Sequence, residues 1–178
     1  MEYRAKIMDS AQFQRSLARM THEIIEKNHG AEQLCLLGIK RRGIPLAELL
    51  ADNLKRFAGV EVPVGSVDIT RYRDDLFAPV LPQSEPDCRI PCDLTGCTVI
   101  LVDDVLYTGR TVRAAIHAIM LHGRPRAIRL AVLIDRGHRE LPIRPDYVGK
   151  SIPTARDEVV RVMVEAYDGE NGVALYKK

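Results

Sequence analysis

An α/β fold is the class this sequence predicts, on three observations. Segments with a helical apolar period alternate with short runs of strand character along the whole chain. The run Leu34–Ile39 is apolar almost throughout, as a strand covered on both faces must be. A second apolar run, Thr98–Val102, passes through two carboxylates and a glycine directly into a helical stretch, and this strand–loop–helix order is the building unit of such folds.

Taken in order, Asp9 and Gln12 stand three apart, as a capping box requires, before a helix whose apolar stripe is Phe13, Leu17, Met20 and Ile24. The buried strand Leu34–Ile39 leads through a short basic loop into a helix with Pro45 in its first turn, where a missing amide hydrogen costs little. Val62–Ile69 is a second strand. From Thr70 to Thr95 four prolines and many charges interrupt any period, which predicts a long mobile excursion of the kind that serves as a lid. Thr98–Val102 is the third strand, and the helix after it runs from about Thr111 to His122 and ends at Gly123. Ala127–Ile134 is a fourth strand. The stretch 135–156 is polar, carries three prolines and reads as a cap over the sheet edge, with late strands at Val159–Val164 and Val173–Tyr176.

The chain has 178 residues, 46% of them hydrophobic, which suffices for one core and predicts a single domain over 1–178. A formal charge of +2 does not mark a polyanion binder, so any nucleic-acid surface must be a local arrangement. No apolar run reaches the roughly 18 residues of a membrane span, and Met1–Lys6 leads into no signal-peptide core, so a soluble cytoplasmic protein is expected. Four cysteines are present, but Cys88, Cys92 and Cys97 lack the paired Cys-x-x-Cys spacing of a zinc knuckle. They read as small apolar or loop residues, with Cys35 in a strand, that stay as thiols in a reducing compartment.

The chemistry concentrates in Val102–Thr111. In an open α/β sheet ligands gather outside the carboxyl ends of the strands, where this loop emerges. Gly109 allows a tight turn and close backbone approach, and the N-terminus of the following helix offers N–H groups and a positive dipole to a phosphate, with Thr108 and Thr111 adding hydroxyls. Asp103 and Asp104 would repel a phosphate unless they served another partner, and sugar hydroxyls or Mg²⁺ supply one. One of the two aspartates as a plain helix cap is the alternative, and the complete ten-residue order weighs against it. Neither a Walker loop nor a dinucleotide fingerprint is present.

Val102–Thr111 resembles the 5-phosphoribosyl diphosphate (PRPP) motif of type I phosphoribosyltransferases, and its wording is similar to that of the PyrR family. The likeness extends in order through Gly38–Gly43, Asp68–Asp75 and Ile134–Lys150, nearly the whole chain. It implies a mainly parallel central sheet flanked by helices, with a small hood at about 135–156 and a flexible loop at about 70–95. It further implies uracil phosphoribosyltransferase activity, joined to UMP-dependent binding of pyrimidine-gene leader mRNA (transcription attenuation). Asp103 and Asp104 would then hold the ribose side of PRPP and its Mg²⁺, and the backbone of Val105, Leu106, Tyr107, Thr108, Gly109, Arg110 and Thr111 would cradle the 5′-phosphate. Lys40, Arg41 and Arg42 would face the diphosphate, with a solvated basic turn as the plainer alternative. Arg71 and Arg73 would close over it, keeping out water that hydrolyses PRPP.

For the base, Arg136 and Arg139 can reach phosphate oxygens, Tyr147 offers a stacking face, and main-chain groups around Ile134 and Val148 can read uracil's carbonyls and N–H. Two readings stand for His138, contact with substrate or bracing of the cap. Position 107 is Tyr, where purine-salvaging relatives usually carry an acidic residue for the imidazole ring, and this argues for a pyrimidine. On the first helix Arg15, Arg19 and His22, with Lys27 beyond, form a basic stripe that could neutralise RNA phosphates, doubled in a homodimer or larger homo-oligomer. A solvated helix face is the plainer account of that stripe. Two other functions fit the same residues: a nucleotide-sensing RNA-binding protein without catalysis, and a salvage enzyme alone.

Overall fold

The computed structural model describes residues 1–70 and 88–178, so the expectations placed on Arg71, Arg73 and most of the 70–95 excursion lie outside the described residues. The elements run β1 (Glu2–Met8), α1 (Ser10–Lys27), β2 (Leu34–Ile39), α2 (Gly43–Ala58), β3 (Val64–Val67), β4 (Thr98–Leu106), α3 (Arg110–His122), β5 (Ala127–Asp135), β6 (Tyr147–Ser151), β7 (Glu158–Met163), α4 (Glu165–Asp168) and β8 (Gly172–Lys177). Five strands form a parallel sheet in the order β3-β2-β4-β5-β6, and three form an antiparallel sheet in the order β1-β8-β7.

Local signals account for most of these elements. The Asp9 carboxylate accepts the Gln12 amide at 2.7 Å while the Gln12 side chain accepts the Asp9 amide at 2.9 Å, closing the capping box of α1. Phe13, Leu17, Met20 and Ile24 are all buried, so the predicted stripe is the one that packs. They join Leu46 and Leu50 of α2 against one face of the parallel sheet, while Val112, Ala115 and Ile119 of α3 cover the other. Val160, Val162 and Val173 of the three-stranded sheet enter the α1–α2 side of the core beside Val102 and Ile134.

Three elements are missing from the sequence reading, the strands β1 and β6 and the short helix α4. The stretch 135–156 is not all cap: Tyr147–Ser151 is β6, the edge strand of the parallel sheet, paired to β5 from Ala131↔Tyr147 to Asp135↔Ser151. Its neighbouring prolines mask a five-residue strand. β1 went unread because most of it is exposed, and a half-solvated edge strand carries little apolar signal.

The third strand extends four residues past its apolar run, and this extension makes the site. β4 pairs with β2 only as far as Gly38↔Val102, but with β5 through Leu106↔Asp135. Asp103–Leu106 thus border open space on the β2 side, at the point where the strand order reverses between β2 and β4 and where α/β sheets bind ligands. Glycine lets α2 begin against this strand: a Cβ on Gly43 would lie 2.4 Å from the Val102 carbonyl oxygen. Gly43→Ala must push α2 away from β4, and we expect a loss of about 1–3 kcal/mol. In a chain of this size that is a fall of roughly 2–12 °C in Tm, read by calorimetry; an unchanged Tm would show that the junction yields without cost.

Candidate active site

A cavity of about 410 Å³ opens at the carboxyl end of β4, lined by Asp103, Val105–Val112 and Glu140. Gly109 is the N-cap of α3 at φ +93°, a left-handed conformation that a Cβ disfavours. With no side chain at that cap and no acidic residue in the first turn, the positive end of α3 faces the cavity without internal neutralisation. The Thr108 hydroxyl accepts the Arg110 amide at 3.3 Å, and the Thr108 carbonyl accepts the amides of Glu140 and Leu141 at 3.0 and 3.2 Å. The 137–141 segment is thereby fastened along the loop, and Glu140, which sequence reasoning passed over, pairs with Arg110 at 2.7 Å at the cavity edge.

Asp103 and Asp104 are adjacent but border different spaces. Asp103 lines the cavity at the start of α3, whereas Asp104 lines a second one of about 380 Å³ shared with Arg42 and β7. Their carboxyls nonetheless lie close enough to interact with each other directly. Burial is the largest influence on both carboxyls and pushes both up. Asp103 rises well above the ordinary carboxylate range, helped by the Asp104 charge. For Asp104 the Val105 amide, which donates to it at 2.8 Å, and the Arg42 charge work in the opposite direction.

Across the crevice, Lys40 and Arg41 form the turn after β2, joined by a cis peptide. Lys40 pairs with Asp68 at 3.6 Å. Burial works to raise the Asp68 carboxyl, but hydrogen bonds from the Thr70 hydroxyl and amide, at 2.6 and 2.9 Å, and the Lys40 charge hold it below its usual value. Arg41 is exposed on the same turn.

Several predicted site residues are committed elsewhere. Arg42 turns away from the diphosphate side: its Nε donates to the Val162 carbonyl at 2.8 Å and its Nη2 to both Asp168 oxygens at 2.9 and 3.1 Å. Arg139 does not reach for phosphate, because it donates to the carbonyls of Ile143 and Tyr107 at 2.9 and 2.8 Å and pairs with Asp135 at 2.6 Å. Tyr147 cannot stack on a base. It is fully buried, and its hydroxyl accepts from Asn28 at 2.9 Å and Arg129 at 3.3 Å. Ile134 is buried within β5 and paired on both sides, so its main chain belongs to the ladder, and the Val148 carbonyl accepts from Arg19 at 3.1 Å.

Among the described residues the aromatic surface at the cavity is Tyr107, whose side chain sequence reasoning valued only for lacking a carboxylate. The Arg136 guanidinium lies 4.1 Å from its ring centroid, and the His138 ring stands edge-on at 5.8 Å. Arg136 is held by the Thr154 hydroxyl and the Ala155 carbonyl, each at 3.1 Å, and the His138 Nε2 lies 2.6 Å from the Thr154 carbonyl. Of the two readings for His138, bracing is the one these contacts favour.

A family model described as the phosphoribosyl transferase domain matches residues 4–168. Over 178 residues the chain is 56% identical to the bifunctional protein PyrR of Thermus aquaticus, covering 100% of this chain and 98% of that one. The chain belongs to the PyrR family of phosphoribosyltransferases. The PyrR protein of Clostridium perfringens is 54% identical over 177 residues, covering 99% of each chain, and PyrR 1 of Lactiplantibacillus plantarum is 57% identical over 97% of each. The phosphoribosyltransferase fold recurs at much lower identity. A hypoxanthine phosphoribosyltransferase from Trypanosoma cruzi superimposes with a TM-score of 0.77 at 19% identity, covering 98% of this PyrR-family chain and 96% of that structure. A hypoxanthine-guanine enzyme from Bacillus anthracis gives 0.69 at 20%, with 98% of each covered.

On α1 the PyrR-family chain carries its basic stripe with partners. Arg19 pairs with Glu23 at 2.7 Å and donates to the Gly149 carbonyl at 2.5 Å, Lys27 donates to the Asp146 carbonyl at 3.0 Å, and the His22 ring stacks on Phe57 at 4.5 Å. Arg15 is exposed beside a cavity of about 290 Å³ that it shares with Arg19 and Lys150. All four cysteines are free thiols, and burial pushes that of Cys35 far up. Among the described residues no helix is long and apolar enough to cross a membrane.

Proposed function

We propose that this PyrR-family chain transfers the phosphoribosyl group of PRPP to uracil, giving UMP and diphosphate, and that it also regulates pyrimidine genes by UMP-dependent binding of leader RNA. The observation that carries the enzymatic half is the cavity joining buried Asp103 to the uncapped start of α3 through Thr108–Thr111. The main-chain amides there bind the 5′-phosphate, and Asp103 and Asp104 accept the ribose hydroxyls. Lys40 and Arg41 face the departing diphosphate, whose charge grows as the glycosidic bond breaks, so fixed cations favour the transition state over bound substrate.

Two desolvated neighbouring carboxyls, each raised by burial, suit a divalent cation that relieves their repulsion. Among the described residues no cluster of three or more His, Cys, Asp or Glu could hold a metal alone. Asp103 and Asp104 would therefore share Mg²⁺ with oxygens of PRPP and water, and the ion would neutralise diphosphate charge. Tyr107, covered on one side by Arg136, supplies the aromatic surface for the base in place of Tyr147. A tyrosine there gives a purine imidazole no carboxylate partner, which supports uracil.

Formation of labelled UMP from labelled uracil, PRPP and Mg²⁺, with hypoxanthine as competitor, tests this half. Equal use of hypoxanthine would reject the base assignment. Arg15, the neighbouring Lys150 and the partnered Arg19 and Lys27 are exposed cations that support an RNA surface near α1, in a homodimer or larger homo-oligomer. We expect Arg15→Gln to weaken UMP-dependent binding of leader RNA. The slope of log K against log salt should flatten by roughly 0.7 for a single-stranded contact. Binding isotherms across a salt series read this, and an unchanged slope would remove Arg15 from the surface.

A further inference from the structure

We propose that Arg42 is a positioning residue, a latch that fixes the three-stranded sheet against the diphosphate-side turn beside Asp104 without touching substrate. The proposal rests on the phosphoribosyltransferase reading and adds to it a residue that acts from behind the site.

Three elements meet at this one guanidinium. Arg42 stands at the N-cap of α2, directly after Lys40 and Arg41, so its backbone belongs to the turn that faces the diphosphate. Its side chain crosses to the other sheet, where Nε donates to the Val162 carbonyl in β7 at 2.8 Å. Its Nη2 contacts both carboxylate oxygens of Asp168 in α4, at 2.9 and 3.1 Å. Asp168 is anchored in turn, since its Oδ2 accepts the Val164 amide at 2.9 Å, and Arg161 of β7 lies 3.5 Å from its Oδ1. The Asp168 side chain is 11% exposed and that of Arg42 31%, so the pair is sheltered from the screening that weakens surface ion pairs.

The geometry sets what the latch controls. Arg42 and Asp104 line the same cavity of about 380 Å³, whose far wall is β7 from Val159 to Val162. The wall and the turn therefore keep their spacing through the Arg42–Val162 and Arg42–Asp168 contacts. A guanidinium suits this work because its planar fork makes several directed bonds at once, which an ammonium cannot. A misplacement of about 1 Å at a reacting centre costs on the order of 100-fold in rate, so loosening this spacing should appear in turnover.

The test compares Arg42→Met, Arg42→Lys, Asp168→Asn and the Arg42→Met/Asp168→Asn double variant. We expect Arg42→Met and Asp168→Asn each to lower kcat for uracil plus PRPP by roughly 10- to 100-fold, with KM for PRPP changed less than about threefold. Arg42→Lys should recover only part of the loss. The double variant should be no worse than the poorer single one, because both changes open one latch. Hydrogen exchange of the ligand-free proteins supplies a readout independent of catalysis: amides of β7, of α4 and of Val164 between them should exchange faster in both single variants. The proposal is overturned if Asp168→Asn keeps full activity while Arg42→Met raises KM for PRPP at unchanged kcat, since Arg42 would then contact the diphosphate itself. Unchanged exchange at β7 and α4 in Arg42→Met also overturns it. Absence of UMP formation by the unaltered protein would reject the transferase reading, and the exchange result would still decide whether Arg42 is a latch.

Discussion

Asp103→Asn and Asp104→Asn should each lower uracil phosphoribosyl transfer by roughly 100- to 1,000-fold, the scale of losing one charge aimed at the reacting centre, while Asp103→Asn makes the ligand-free protein more stable at neutral pH. The two effects have one cause. Burial raises both carboxyls, and the Asp104 charge raises Asp103 further, so the folded state favours the protonated form. For a group raised on folding, the stabilising contribution is complete below the unfolded carboxylate value of about 3.9 and is lost as pH rises through the folded value. At pH 7, well above the unfolded value, the buried pair therefore works against the fold, and a neutral amide of the same shape removes that cost. The side-chain oxygen of that amide keeps the means to accept the Asp104 main-chain N–H, which the Asp103 carboxylate now accepts at 2.9 Å.

Melting curves in metal-free buffer should show Asp103→Asn above the unaltered protein at pH 7, with the gap closing toward pH 4. Unchanged turnover in both variants would remove the carboxylates from the reaction, and a lower Tm for Asp103→Asn at pH 7 would contradict the sign. The pair is a charge arrangement kept at the expense of stability, as expected where ligands and a cation complete the site.

Tyr147→Ala should destabilise the fold by about 3–5 kcal/mol, the range for removing a fully buried aromatic side chain. For a chain of this length the fall in Tm is roughly 6–20 °C. Tyr147 closes the core between β6 and α1, and its hydroxyl joins Asn28 at the C-cap of α1 to Arg129 of β5. Tyr147→Phe keeps the ring and should cost about 1 kcal/mol for the lost hydrogen bonds, leaving KM for uracil where it is. Tyr107→Ala should do the reverse, with a smaller loss of stability because the residue is 36% exposed. Its KM for uracil should rise by roughly 2- to 10-fold, the worth of one aromatic contact. Thermal melts beside uracil saturation curves decide between the two tyrosines, and a KM effect confined to Tyr147→Phe would return base stacking to position 147.

Both predictions turn on how side chains are shared between packing and chemistry, and here the limits of linear reading are visible. Tyr147 looked like a base platform because the segment around it is rich in charge and proline, and nothing local says that its strand completes the parallel sheet. Arg42 and Arg139 looked like phosphate ligands for their neighbours' sake. The partners that claim them, Asp168 at 126 positions from Arg42 and the Tyr107 carbonyl at 32 positions from Arg139, act through approach in space.

By itself the sequence determined the elements whose signals are local: the Asp9–Gln12 box and apolar stripe of α1, the all-apolar β2, and the passage from β4 through Gly109 into α3. It also determined the class of chemistry, because a carboxylate pair followed by Thr-Gly-Arg-Thr at a helix start carries its physical reason within ten residues. Tertiary structure alone decided that β4 outruns β2 and opens the crevice, that Asp103 and Asp104 line different cavities, and that Arg42 and Arg139 are held by protein partners. Hydrogen-bond partners of a guanidinium and the burial of a ring depend on residues distant in the chain, and apolar period and turn chemistry report only the neighbourhood in which a residue is written.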